Sequence, residues 1–240
     1  MQKKVIGIIG GIAPPSTIDY YQKIITGFQE RDGTPQYPSI MINSINMTRM
    51  LDLIAKKEYE QLVHYLNDEI QKLKNGGADF AVVASNTPHI VFEQLRKKSI
   101  LPLISIVEAT RAHVKKSGCK KLGLFGTKST MQGGFYQDGF SKVGMEIVTP
   151  SFEAQDYIHE KYMNEFVKGI FLEETKMTFI DIVQDMRKQN NIEGLILGGT
   201  ELPFILKEED FNNFKLFNTT EIHVNSILEY AMKNNNHGMK

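Results

Sequence analysis

Two short stretches hold most of the polar chemistry this chain could perform. VVASNTPH, at 82–89, ends an apolar run in Ser85, Asn86, Thr87 and His89, and LILGGTELP, at 195–203, ends another in Gly199, Thr200 and Glu201. Hydroxyls, amides and free backbone N–H groups at such a point suit a carboxylate or a phosphate, because donors and partial positive charge gather where a helix begins. Glu201 and His89 add groups that can take or give a proton. Two further loops have the same character: Gly11 and Ser16 in GGIAPPS, and Thr127 and Thr130 in GTKST. Taken singly, Ser16, Thr87, Thr130 and Thr200 could be plain helix caps, and His89 a capping or packing histidine. Their recurrence in both halves of the chain favours a ligand site.

Several other chemistries are excluded. GIIGGIAPPS lacks the Gly-x-Gly-x-x-Gly spacing of a dinucleotide loop, and GTKST lacks the glycine that precedes the lysine of a P-loop. The six histidines are not in ligand-pair spacing, and the single cysteine, Cys119, rules out an intramolecular disulfide and a multi-cysteine zinc site. No metal and no cofactor are expected. Lysine plus arginine equals aspartate plus glutamate, 28 each, which argues against a nucleic-acid or anionic-membrane partner. No apolar run approaches a membrane span, and the opening MQKKVIGIIGGIAPP is broken by glycine too early for a signal peptide, so a cytoplasmic protein acting on a small molecule is expected.

The elements that must position these residues form a repeated pattern. KVIGIIGG reads as a buried parallel strand, followed by a helix over PPSTIDYYQKIITGFQE with Ser16 and Asp19 as a capping box and Ile18, Tyr21, Ile25 and Phe28 on one face. SIMINS, EYEQLVHYLNDEIQKLKNGGA and DFAVVAS then give strand, helix and strand. KKLGLFGTKSTMQ restarts the pattern, and IEGLILGGTELP repeats the logic of GADFAVVASNTPH. The fold class expected is α/β, with two pseudo-symmetric lobes, each a parallel sheet flanked by helices. The active site then lies in the interlobe cleft, because ligands of such sheets bind beyond the carboxyl ends of the strands. Residues 1–104 plus 211–240 are assigned to the first lobe and 105–210 to the second. In the tail, LFNTTEIHVNSILEYAMK reads as a strand and a helix capped by Asn218, and NNNHGMK is expected to fray.

IGIIGGIAPPSTIDYY, GADFAVVASNTPH, LGLFGTKSTMQGGFY, GLILGGTELP and LFNTTEIH, in that order and over essentially the whole chain, resemble the aspartate/glutamate racemase superfamily. The resemblance implies a PLP-independent amino-acid racemase, often a homodimer, in which two opposed cysteines flank the α-carbon of an acidic amino acid. It also implies substrate contacts from Asn86, Thr87, Thr127, Thr130, Thr200 and Glu201, with Gly11 and Ser16 matching the first glycine-rich loop. An arginine and a lysine of the family fall in regions comparable to Arg49, in the loop after IMINS, and Lys161. The chain departs from the pattern where it matters most, because Ser85 and Gly199 stand where the two cysteines belong. A serine hydroxyl is far less acidic than a thiol, and glycine carries no proton. Three readings stay open: α-proton chemistry with His89, Glu201 or another cleft group as base and Ser85 as relay or donor, a non-catalytic dicarboxylate or amino-acid binder, and cysteines deliberately replaced to halt turnover. Serine fits the last of these and glycine fits it poorly.

Overall fold

Strands that are apolar on both faces must be covered on both faces, and the chain meets this demand twice. The computed structural model describes residues 3–233, so the terminal stretch expected to fray lies outside the described residues. The first half runs β1 (Ile6–Gly10), α1 (Pro14–Asp32), β2 (Ile40–Ser44), α2 (Met47–Ala55), α3 (Tyr59–Asn75), β3 (Phe80–Val83), α4 (Phe92–Lys98) and β4 (Leu103–Ile104), with a 3₁₀ turn at Thr87–Val91. The second half runs α5 (Ile106–Ser117), β5 (Lys121–Gly126), α6 (Lys128–Gln132), α7 (Phe135–Ser141), β6 (Glu146–Val148), α8 (Phe152–Asn164), α9 (Glu173–Asn190), β7 (Gly194–Gly198), α10 (Leu202–Ile205), β8 (Lys215–Asn218) and α11 (Thr219–Met232). These build two wholly parallel sheets of the same order, β2-β1-β3-β4 and β6-β5-β7-β8. The expected fold class is the one observed.

The register brings the strand tips level. Gly10 lies opposite Ser44, Ile9 opposite Val83, and Gly126 opposite Gly198, so each lobe presents its central loops along one edge. Apolar layers fill both faces of each sheet. Ile9, Val83, Leu66 and Ile70 lie on one face of the first sheet, and Ile8, Tyr20, Ile24 and Phe80 on the other.

Four details differ from the sequence reading. The buried face of α1 is Ser16, Tyr20, Ile24 and Phe28, while Ile18 and Tyr21 are exposed. The helix begins two residues before Ser16, whose hydroxyl donates back to Ala13 O (2.8 Å) instead of capping. The loop expected after IMINS is the nine-residue helix α2, capped by Asn46, whose side chain accepts from Arg49 N. The tail, expected wholly with the first lobe, divides. β8 pairs with β7 in the second sheet, whereas Val224, Ile227, Leu228 and Ala231 of α11 pack on Ile6, Ile8, Tyr20 and Phe80 of the first lobe.

The cap of α11 is as expected, with Asn218 Oδ1 accepting from Thr220 N and Glu221 N. It passes α1 closely at Gly27, where a Cβ would fall 2.7 Å from Leu228 Cδ1 and displace that side chain. His223 fixes the junction: its Nε2–H donates to Ile104 O (3.0 Å) and its Nδ1 accepts from Tyr20 (2.9 Å). Burial lowers the imidazole to about 4 and keeps it neutral, as that pattern demands.

Candidate functional site

The two strand tips that opened the sequence reading meet across one hollow. Ser85, Asn86 and Thr87, from the end of β3, and Gly198, Gly199 and Glu201, from the end of β7, line a single cavity between the lobes together with Ile12, Ala13 and Thr127. Its outer wall is apolar and comes from both halves: Met47, Met50 and Leu51 on α2, and Tyr162, Met163 and Val167 on and after α8. Its volume is about 30 Å³, room for little more than a water molecule.

Hydroxyl groups stitch the lobes beside the cavity. Thr87 Oγ1 is 2.9 Å from Thr127 Oγ1 and 3.3 Å from Thr130 Oγ1, and the latter two are 3.1 Å apart. Thr127 also caps α6, accepting from Thr130 N. Asn86 is held at both ends of its amide: Tyr136 donates to Oδ1 (2.6 Å), and Nδ2 donates to Thr219 Oγ1 (3.1 Å). The β3 tip is therefore located by groups of the second half of the chain.

Glu201 is the carboxylate on the cavity wall, and it is 1% exposed. Its Oε2 accepts hydrogen bonds from the Tyr162 hydroxyl and from Thr200 Oγ1 (2.9 Å), while Oε1 accepts no hydrogen bond of good geometry. Burial raises its carboxyl above the usual range, opposed by hydrogen bonds from Tyr162 and Thr200 and from the backbone N–H groups of Glu201 and Ala13. Burial likewise pushes the Tyr162 phenol well above 10, reinforced by the Glu201 charge. Tyr162 was not singled out in the sequence. It lies on a helix 37 residues before Gly199, and only tertiary packing unites them. At Gly199 a Cβ would fall 2.4 Å from Tyr162 Cε2 and 2.8 Å from its hydroxyl oxygen, so the ring occupies the space a side chain would need.

Other expected site residues stand elsewhere. His89, expected as a base, has both ring nitrogens in use: Nδ1–H donates to Ser85 O (2.9 Å) and Nε2 accepts from Ile106 N (3.2 Å). Its ring stacks on Phe92 and faces a separate surface groove, and burial lowers it to about 3. The imidazole is thus a neutral brace that orients the Ser85 loop. Arg49 is exposed on α2 with its guanidinium over the Tyr65 ring (4.6 Å). Lys161 is paired with Glu165 (2.8 Å). Neither cation lines the cavity. Gly11 and Ser16 sit behind Ile12 and Ala13. Gly11 has a φ of 80°, and its N–H donates to Thr17 Oγ1 (2.8 Å). Thr130 and Thr200 support the wall through Thr127 and Glu201. Cys119 is buried in the second-lobe core, away from the cavity. Among the described residues no cluster of three or more His, Cys, Asp or Glu could hold a metal ion, and no helix is long and apolar enough to cross a membrane.

The two parallel four-stranded sheets flanked by helices match solved racemase structures. An aspartate racemase homologue from Pyrococcus horikoshii OT3 superposes with a TM-score of 0.82 at 33% identity, covering 97% of this chain and 100% of that one. The Picrophilus torridus aspartate racemase gives 0.73 at 25% identity, covering 96% and 95%. The chain belongs to the Asp/Glu/hydantoin racemase family, whose model matches residues 9–227. The broad specificity amino-acid racemase RacX of Bacillus subtilis is 29% identical over 147 residues, 60% of this chain and 63% of that protein. A glutamate racemase of Aquifex aeolicus is 27% identical over 174 residues, 72% of this chain and 65% of its own. The matches thus span slightly less than two thirds of these curated relatives.

Proposed function

We propose that this protein is an amino-acid racemase or isomerase-type enzyme that moves a proton at the α-carbon of an acidic amino acid, such as aspartate or glutamate, without PLP or a metal. The observation that carries the reading is the meeting of Ser85 and Glu201, from matching strand tips, on one interlobe cavity. Removing an α-proton leaves an electron pair that spreads into the adjacent carboxylate, so donors aimed at that carboxylate lower the barrier. Thr87 and Thr127 line the cavity and can turn their hydroxyls from each other to such a group.

Glu201 supplies the base in this reading. Its carboxylate can take the proton directly or through a hydroxyl hydrogen-bonded to it, and its raised affinity for one brings it closer to the α-carbon's weak acidity. Ser85 acts as donor or relay on the opposite wall. The acidic substrate class is supported by the aspartate and glutamate racemases among the relatives. Arg49 stands on the helix that provides Met47, Met50 and Leu51 to the wall, and it is the cation we assign to the substrate's side-chain carboxylate once α2 moves. A cytoplasmic homodimer is part of the same proposal.

The test is incubation with L- and D-aspartate and L- and D-glutamate in deuterated water, followed by proton NMR at the α position. Loss of the α-proton signal supports the enzyme. Unchanged signals, with a ligand-raised melting temperature, would establish a non-catalytic binder instead.

A further inference from the structure

We infer that Tyr162 has taken the place left by the absent side chain of Gly199 and, joined to Glu201, forms the acid–base unit of the second-lobe wall. The inference rests on the α-proton chemistry proposed above and names the group that performs it on one face of the substrate.

Gly199 is not a glycine for conformational reasons, because it is absent from the residues with positive φ. It is a glycine for space. A Cβ would lie 2.4, 2.8 and 2.9 Å from Cε2, the hydroxyl oxygen and Cζ of Tyr162, closer than side-chain carbons come to their neighbours. Cysteine is excluded there along with every other side chain, unless the tyrosine withdraws. The two residues are complementary, one vacating a volume and the other filling it with a group that can exchange a proton.

The surroundings of the hydroxyl fit this use. Tyr162 is 6% exposed, lines the cavity, and donates to Oε2 of Glu201. A phenol used only for packing needs one acceptor, and a backbone carbonyl would serve. Here the acceptor is a buried carboxylate whose other oxygen accepts no hydrogen bond of good geometry, and no cation stands among the residues lining the cavity, a costly arrangement that serves packing poorly.

The proton step balances as follows. The Cα–H bond breaks and its electron pair passes into the substrate carboxylate as an enediolate. The proton goes to the Tyr162 oxygen as the phenol passes its own proton to Glu201, so the net acceptor is one carboxylate. Reversal returns a proton to the same face, and Ser85, on the opposite wall, is left to serve the other.

The experiment compares wild type with Tyr162→Phe, which keeps the ring against Gly199 and removes only the hydroxyl. Exchange of α-protons for deuterium and ligand-induced stabilisation are measured side by side, with the L and D forms of aspartate and glutamate. A fall in exchange of about 100-fold or more, with the ligand-induced melting shift retained, supports the assignment. Exchange within about tenfold of wild type overturns it and leaves the racemase-type reading intact. Absence of exchange in the wild type overturns both. Should Tyr162→Phe not fold, 3-fluorotyrosine placed at 162, with a more acidic phenol of nearly the same shape, takes its place. A shift of the pH profile of exchange toward acid supports the role, and an unmoved rate and profile reject it.

Discussion

Thr87 of the first lobe and Thr127 of the second share a hydrogen bond of 2.9 Å beside the cavity, and Thr130 closes the triangle. All three hydroxyls are buried, and each depends on the others for partners. Thr87→Val keeps the shape of the side chain but leaves Thr127 and Thr130 short of an acceptor and a donor. The expected cost is about 1–3 kcal/mol, read as a lower urea midpoint at unchanged slope. A midpoint equal to wild type would show that the triangle contributes nothing to holding the lobes.

Glu201 links function to a loss of stability. Its carboxyl is raised by burial, so its favourable share of stability is present below the ordinary glutamate value and is lost as pH rises through the raised value. Glu201→Gln removes the uncompensated charge while retaining an acceptor for Tyr162 and Thr200. We expect this variant to melt about 2–4 °C above wild type at pH 8, to lose that advantage near pH 4.5, and to lose α-proton exchange. A variant less stable than wild type at pH 8 contradicts the account.

The buried histidines act with the opposite sign. His89 and His223 are held neutral with values of about 3 and about 4, below the ordinary 6.5, so the unfolded chain binds more protons between those limits. Stability is full above about 6.5 and declines as pH falls toward 4, by about 1.4 kcal/mol per pH unit for each histidine. Denaturant titrations between pH 7 and pH 4.5 measure the slope. Replacing His223 by Gln is expected to flatten it, and an equal slope in that variant would remove His223 from the explanation.

Arg49 distinguishes an acidic substrate from a neutral one. Its guanidinium now rests on Tyr65 at the surface, so Arg49→Ala is expected to be nearly neutral for stability. If the side chain swings to a substrate carboxylate, the variant loses ~1.5–3 kcal/mol of affinity for aspartate, roughly 10- to 150-fold, and little for alanine. Calorimetric titration with both amino acids gives the answer, and equal affinities for aspartate in variant and wild type exclude the arginine.

What the sequence made legible was chiefly local. Apolar runs stopped by small residues marked the strands, the matched endings SNTPH and GGTELP marked the shared hollow, and Asn218 three residues before Glu221 marked a cap. Long-range packing set the rest. The nine-residue α2 begins three residues beyond its strand, too close for a loop reading to separate them, and it carries Arg49 on its outer side. Ile18 and Tyr21 satisfied a helical period but belong to the exposed face, because the sheet selected Tyr20 and Ile24. β8 pairs with β7 while the helix it leads into packs on the other lobe, a division no local signal announces. His89 had the right chemistry and the right place in the chain, yet the carbonyl of Ser85 and the N–H of Ile106 had already claimed both its nitrogens. Tyr162 reaches Gly199 only through the tertiary fold.

The most direct measurement is a crystal structure with aspartate bound. The account predicts the α-carbon between Ser85 and the Tyr162–Glu201 pair, the α-carboxylate on Thr87 and Thr127, and α2 displaced outward to admit the ligand. Aspartate seated instead in the groove lined by His89 and Arg111, with the interlobe cavity unchanged, would contradict it.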